Sequence, residues 1–124
     1  MKLLVHNILK SNDPASKIGY PLKLQIDEKT ELHINYNANT IKNLLTKIDY
    51  GVLCDVSRIA GYDKLPDMLP SPDQQDEEFL KMVHHALLEI DVVEGSLEDP
   101  DTGRVYQIHN GIPNMIIEFS HVKF

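Results

Sequence analysis

The residues best suited to metal ligation or acid–base work are His84, His85 and Glu89. His85 and Glu89 lie one helical turn apart, so an imidazole and a carboxylate can share a face. Adjacent histidines point in different directions, however, no HExxH pattern is present, and no third ligand can be named. A small hydrolase or a metal centre built on these residues therefore rests on residue types alone. Cys54, the single cysteine, sits between Leu53 and Val56 on an apolar helical face. A buried thiol is ordinary there, and a nucleophile would need a paired base that is not evident. With one cysteine, neither an intramolecular disulfide nor a cysteine-rich zinc site can form, and a reducing compartment fits. Lone glycines such as Gly103 and Gly111 make no phosphate loop, and no GxGxxG occurs. The absence of a cofactor fingerprint points to binding or scaffolding rather than catalysis.

The chain has 124 residues, 42% of them apolar, which suffices for one core or two very small lobes. Nineteen acids against twelve bases give a net charge of −7, unfavourable for holding phosphates directly. Residues 73–101 carry ten of those acids (Asp73, Asp76, Glu77, Glu78, Glu89, Asp91, Glu94, Glu98, Asp99 and Asp101) with Lys81 as the only base. Such a run reads as a solvated helix face with its flanking loops, or as a patch that steers a basic partner. Lys2, Lys10 and Lys17 lie on the less acidic N-terminal side, where they are ordinary surface residues or touch a substrate. The apolar runs are short, and neither a signal peptide nor a membrane span is expected.

Residues 2–9 read as a strand. Leu22, Leu24 and Ile26 alternate with Lys23 and Gln25, a polar turn at Asp27-Glu28-Lys29 follows, and Leu32, Ile34 and Tyr36 alternate again, so a hairpin or an extended lead is expected. Asn37 or Asn39 can cap a helix through Ile41, Leu44, Leu45 and Ile48. The spacing breaks at Asp49-Tyr50-Gly51, resumes through Val52, Leu53, Val56, Ile59 and Ala60, and stops at Gly61. Ser71-Pro72-Asp73-Gln74 predicts the start of a helix that buries Phe79, Met82, Val83, Ala86, Leu87 and Ile90. Residues 104–108 read as a strand, His109-Asn110-Gly111 as a turn, and 112–119 as a closing strand. Pro113 lacks an N–H, so its segment is either an exposed apolar edge open to another protein's sheet or the start of an internal strand. The pattern is α+β, with both β-rich ends pairing around a helical insert.

Four stretches carry a further signal: MKLLVHNIL at the start, GYPLKL from Gly19, EEFLKMVHHALLEI with VEGSL from Glu77, and PDTGRVY with GIPNMII from Pro100. Together they resemble the small eukaryotic multifunctional methyltransferase subunit, the shared activator of several tRNA, rRNA and translation-termination-factor methyltransferases. The resemblance covers a little under half of the chain. It implies a zinc-ribbon-like β lobe from residues 1–36 and 93–124 with a helical insert at 37–92. It also implies a non-catalytic subunit, cytoplasmic and nuclear, that forms 1:1 heterodimers through strand addition and an apolar patch. On this reading it keeps its partners soluble and supports their hold on S-adenosylmethionine, and meets RNA or termination factor only through them. The partners modify bases in tRNA and rRNA and a glutamine side chain. The matching partner-binding positions are Leu3, Leu4, Asn7, Ile112, Pro113, Asn114, Met115, Ile116 and Ile117. Some members hold zinc with four cysteines, but here the later pair is Asp99 and Thr102 and the first loop offers Ser11. Thiolate ligation is therefore impossible and no structural zinc is expected. A stand-alone RNA-binding module of the same lobe is the alternative that the acidity disfavours.

Overall fold

The computed structural model describes residues 1–116. At its centre is β2 (Ile90–Glu98), flanked by β1 (Lys23–Glu31) and β3 (Val105–His109), with the two-residue β4 (Ile112–Pro113) completing an antiparallel sheet in the order β1-β2-β3-β4. In β2 the buried positions are Ile90 and Val92, then Gly95 and Leu97, so the alternation slips by one residue midway. The β1–β2 register accounts for the slip: Ile26 faces Gly95, Glu28 faces Glu94 and Lys29 faces Val92, which leaves Asp27 and Val93 unpaired. Those bulges rotate each strand and return its apolar set to the inner face. Gly95 is required at this crossing, because a Cβ there would stand 2.2 Å from the Gln25 carbonyl oxygen.

The sheet's inner face packs against helices into one apolar core that includes Leu24, Ile41, Leu53, Phe79, Val83, Leu87, Val92, Leu97 and Ile108. α2 (Ala38–Leu45) and α3 (Tyr50–Ile59) are two short helices and not the one bent helix that the interrupted spacing equally allows. Asn37 caps the first by accepting from the Thr40 amide, and Asp49 caps the second by accepting from Val52. α4 (Glu77–His84) starts later than expected. Ser71-Pro72 opens only a 3₁₀ turn at Pro72–Gln74, and Asp76 is the true cap, accepting from the Phe79 amide at 2.8 Å. The helix then widens into a π turn at His85–Glu89 before Ile90 enters the sheet.

Two expectations are corrected. Residues 2–9 do not form a strand; Leu3–Ile8 is the helix α1. Leu3, His6 and Asn7 are buried while Ile8 is 64% exposed, so the working period is i, i+3, i+4. The strand reading failed because it treated His6 and Asn7 as surface. In fact His6 Nε2 donates to the Leu22 carbonyl at 2.7 Å, while Asn7 donates to the Asp49 carbonyl and accepts from the Asp49 amide. The N-terminus still meets the sheet: the Met1 ammonium donates to Asp91 and the Met1 carbonyl accepts from Val92. Of the two readings of residues 22–36, the hairpin is not formed and the extended lead is. β1 runs straight through Asp27-Glu28-Lys29, because an outer strand can carry charge on its solvent side. The expected closing strand is present only at Ile112–Pro113, and its continuation from Ile117 lies outside the described residues.

Replacing Gly95 with Ala should lower stability by about 2 kcal/mol or more, since the new methyl meets backbone that cannot move without breaking the β1–β2 pairing. Urea unfolding of the parent and variant measures this; an unchanged midpoint would mean that the two strands are not in this register.

Candidate docking edge

The two sides of the sheet differ in chemistry. β1, on one side, exposes Lys23, Asp27, Glu28, Lys29 and Glu31 and is bulged, both of which discourage another strand from pairing with it. The β3–β4 side exposes Val105 at 50%, Ile112 at 69% and Ile116 at 77%. Asn110 and Gly111, both at positive φ, make the tight turn that places Ile112 opposite His109 and Pro113 opposite Ile108. Pro113 contributes no amide, and the Asn114 amide closes onto the Gln107 carbonyl at 2.8 Å. Met115 lies partly buried against the core, and its carbonyl accepts from Asn12 Nδ2 at 2.6 Å.

Of the partner-binding positions read from the sequence, Ile112, Pro113, Asn114, Met115 and Ile116 therefore come together on one edge. Leu4 is half-buried on α1. Leu3 is fully buried and Asn7 nearly so, and neither offers its side chain to a surface. Ile117 lies outside the described residues. Val105 escaped the sequence reading, although its place one strand-face step from Gln107 is the kind of signal that finds it.

A buried polar cluster adjoins this edge. Asp99 Oδ1 accepts from the Asp101 amide at 2.7 Å and the Thr102 amide at 3.2 Å, with Ser16 Oγ also at 3.2 Å. Asp101 Oδ2 accepts from Ile18 N at 2.7 Å, Gly19 N at 2.9 Å and Ser16 Oγ at 3.0 Å. Tyr106 Oη lies 2.8 Å from Ser11 Oγ and donates to Asn12 Oδ1. Arg104 pairs with Asp13 at 2.8 Å. Burial of Asp99 opposes its charge, but the nearby Ser11 hydroxyl and the hydrogen bonds from the Asp101 amide, Ser16 and the Thr102 amide outweigh it and lower the carboxyl to about 2. Asp101 is lowered by the Gly19 and Ile18 amides, and Asp13 by Arg104. Ser16 and Asp101 were missed from the sequence; the Asp-Pro-Asp-Thr-Gly run at 99–103 was the available sign, being a turn in which Asp side chains accept from nearby amides.

His84, His85 and Glu89 form a different structure from a metal centre. His84 is buried, donates from Nε2 to the Ile34 carbonyl at 2.9 Å, and meets the Tyr36 ring edge-on. Glu89 accepts from the Ile34 amide and from His85 Nδ1, and the Leu32 amide donates to the Glu89 carbonyl. Burial opposes the Glu89 charge, yet the Ile34 and His85 hydrogen bonds and the fields of both histidines lower its carboxyl. Together these groups clasp the extended segment after β1 to the end of α4. Among the described residues no group of three or more His, Cys, Asp or Glu is arranged to hold a metal ion. Cys54 is buried, its thiol is pushed up by that burial, and it donates to the Pro66 carbonyl, which suits packing and not attack. Lys10 shares a surface cleft with Lys47, Tyr20 and Leu69, while Lys2 starts α1 and Lys17 is exposed on the loop after it. No helix among the described residues is long and apolar enough to cross a membrane.

No family model matches the chain. It is 37% identical to the multifunctional methyltransferase subunit TRM112 homolog A of Arabidopsis thaliana, across 98% of this chain and 100% of that protein. To the TRM112-like protein of Mus musculus it is 35% identical, with 94% of each covered, and to trm112 of Schizosaccharomyces pombe 32% identical over 98% of this chain and 100% of that one. Among solved structures it is similar in fold to a chain of the E. cuniculi Mtq2–Trm112 complex responsible for methylation of the eRF1 translation termination factor. The TM-score there is 0.57 at 20% identity, covering 94% of this chain and 95% of that one.

The folded-state pKa of Asp99 lies below an unfolded value of about 3.9, so the stability that it contributes is complete above that value and is lost as pH falls toward 2. Thermal melts should show a steep fall between about pH 4 and about pH 2 in the parent. The fall should be shallower in Asp99→Asn; parallel profiles would mean that this carboxylate is not the stabilising acceptor.

Proposed function

The chain belongs to the TRM112 family of multifunctional methyltransferase subunits, and from that premise we propose that it is a non-catalytic activating and stabilising subunit whose β3–β4 edge docks S-adenosylmethionine-dependent methyltransferases. Its partners act on tRNA, on rRNA and on a glutamine of a translation termination factor, in the cytoplasm and nucleus. The observation that carries the docking assignment is the asymmetry of the sheet: one edge charged and bulged, the other lined by Val105, Ile112 and Ile116 in water.

The mechanism follows from surface chemistry. A methyltransferase that exposes a complementary apolar strip is poorly soluble alone. Covering that strip with Ile112 and Ile116 removes apolar area from water at about 25 cal/mol per Å², and backbone groups beside Pro113 extend the partner's sheet. The partner binds S-adenosylmethionine, and stabilising its folded form raises the population able to do so. The acidic surface leaves RNA to be held by the catalytic chain. Each complex pairs one such edge with one enzyme, so different enzymes compete for the same subunit. The proposed docking set is Ile112, Pro113, Asn114, Met115 and Ile116, joined by Val105 and continued by Ile117. Leu4, half-buried on α1, is a further proposed contact, while the buried Leu3 and Asn7 hold α1 in the fold, Asn7 through Asp49. The sheet lobe of residues 1–36 and 93–124 carries the docking face of a zinc-ribbon-like fold without zinc, and residues 37–92 form its helical insert.

Ile112→Asp combined with Ile116→Asp should weaken capture of a co-expressed methyltransferase by about 100-fold, consistent with two exposed anchors at the centre of an interface. Ile59→Asp, on the exposed side of α3, should leave capture intact. Equal capture by parent and double variant would place the interface elsewhere.

A further inference from the structure

The loop of residues 9–22, between α1 and β1, contains no helix or strand; the Ser11, Asp13, Ala15 and Ser16 amides find acceptors within it, while the Ile18 and Gly19 amides find theirs outside. Asp101 meets Ile18 and Gly19, and Ser16 lies between both carboxylates. The same loop carries Asn12, which accepts from Tyr106 of β3 and donates to the Met115 carbonyl of the docking edge. A continuous path of hydrogen bonds thus runs from the β2–β3 turn through the loop to the edge.

Ser11, Ser16, Asp99 and Thr102 converge at the head of this path. A Cβ on Gly19 would stand 3.0 Å from Ser11 Cβ and 3.1 Å from Ser16 Oγ, and Ser16 Oγ and the Thr102 amide both lie 3.2 Å from Asp99 Oδ1. Their spacing, four residues between the serines and two between Asp99 and Thr102, is that of two pairs of zinc ligands. The donor set does not fit the metal. It has no thiolate or imidazole, Thr102 Oγ1 accepts from the Arg104 amide, and Asp99 Oδ1 is met by N–H groups whose positive ends would repel a cation. Asp99 Oδ2 is buried without a donor, and a single carboxylate oxygen falls well short of a tetrahedral set.

We infer that Asp99 and Asp101 replace a tetrathiolate zinc as the fastening of the 9–22 loop, and that through Asn12 this fastening positions the Met115 segment for docking. Asp99 and Asp101 are positioning residues: neither side chain needs to touch the partner. The second half of the inference rests on the docking edge proposed above; the first half stands without it.

The test restores the ligands. The full chain carrying Ser11→Cys, Ser16→Cys, Asp99→Cys and Thr102→Cys should bind one Co²⁺ with the visible spectrum of tetrahedral thiolate cobalt, four thiol protons being released. A folded quadruple variant without that spectrum would overturn the convergence. In Asp101→Ala exchange of the Ile18 and Gly19 amides, and in Asp99→Ala exchange of the Asp101 and Thr102 amides, should accelerate about tenfold or more while the Leu53 and Val56 amides keep the parent's rates. Should the Asp99 variant unfold entirely, Asp101→Ala, which removes the acceptor of the Ile18 and Gly19 amides and of the Ser16 hydroxyl, carries the comparison for the loop. Unchanged loop exchange would overturn the fastening. Partner capture should fall in Asp99→Ala and return in the quadruple variant only with Zn²⁺ present. Loop exchange that rises with capture unchanged would remove the link to docking, whereas loss of capture in the Ile112/Ile116 variant tests the docking edge itself. Equimolar zinc in the parent by elemental analysis would also overturn the replacement.

Discussion

A buried backbone amide must find an acceptor, and in the loop before β1 neither a helix nor a strand supplies one. Asp101 supplies it instead, taking the Ile18 and Gly19 amides and the Ser16 hydroxyl on one carboxylate oxygen, while Asp99 shares Ser16 and folds its own turn through the Asp101 and Thr102 amides. Charge-assisted bonds of this kind are stronger than neutral ones, which allows an ion to remain ionised at a site where burial works against it. The loop's path then sets where Asn12 stands, and Asn12 sets where Met115 stands. The exposed isoleucines on either side of Met115 are held by contacts that begin at two acids more than ten residues away in sequence.

The same logic dissolves the acidic run of residues 73–101. As a stretch of sequence it looks like one solvated face. In the fold its members have separate duties: Asp76 caps α4, Glu89 clasps Ile34 and His85, Asp91 binds the Met1 ammonium, and Glu94 meets His109. Glu98 pairs with Lys23 across β1–β2, a solvent-exposed contact worth little on its own. Much of the chain's negative charge is therefore spent on particular donors.

Legibility followed the kind of signal. The helices at 38–45 and 50–59 were readable because caps and apolar spacing agree, as was the turn at Asn110-Gly111, where positive φ restricts the residue type. The apolar edge at 112–116 was half readable: Pro113 restricts its segment to an edge or a strand start, and the sheet order decides for the edge. α1 was not, since its inward face includes His6 and Asn7, whose partners at Leu22 and Asp49 are distant in sequence. Nor was the unbroken β1: its polar stretch resembles a turn unless the neighbouring strand and paired bulges are known. The resemblance to the methyltransferase subunits supplied the family, which the curated relatives bear out, while the placement of Leu3 and Asn7 in the interior shows that matching a motif does not place a side chain on a surface.

The contrast between the two sheet edges links this architecture to its function. Exposed strand edges invite indiscriminate pairing, and β1 is protected by charge and a bulge. β4 uses a different restraint: it is two residues long, and one of them is proline, so it offers little ladder to an unrelated strand. Selectivity must then come from side chains. A fully buried isoleucine is worth about 1.5–3 kcal/mol, and association costs several kcal/mol in lost freedom, so loosely held anchors would give little net affinity. Holding Met115 by its carbonyl and packing its side chain on the core removes part of that cost before any partner arrives. A short edge whose Met115 is already held in place is what the proposed docking of a methyltransferase requires.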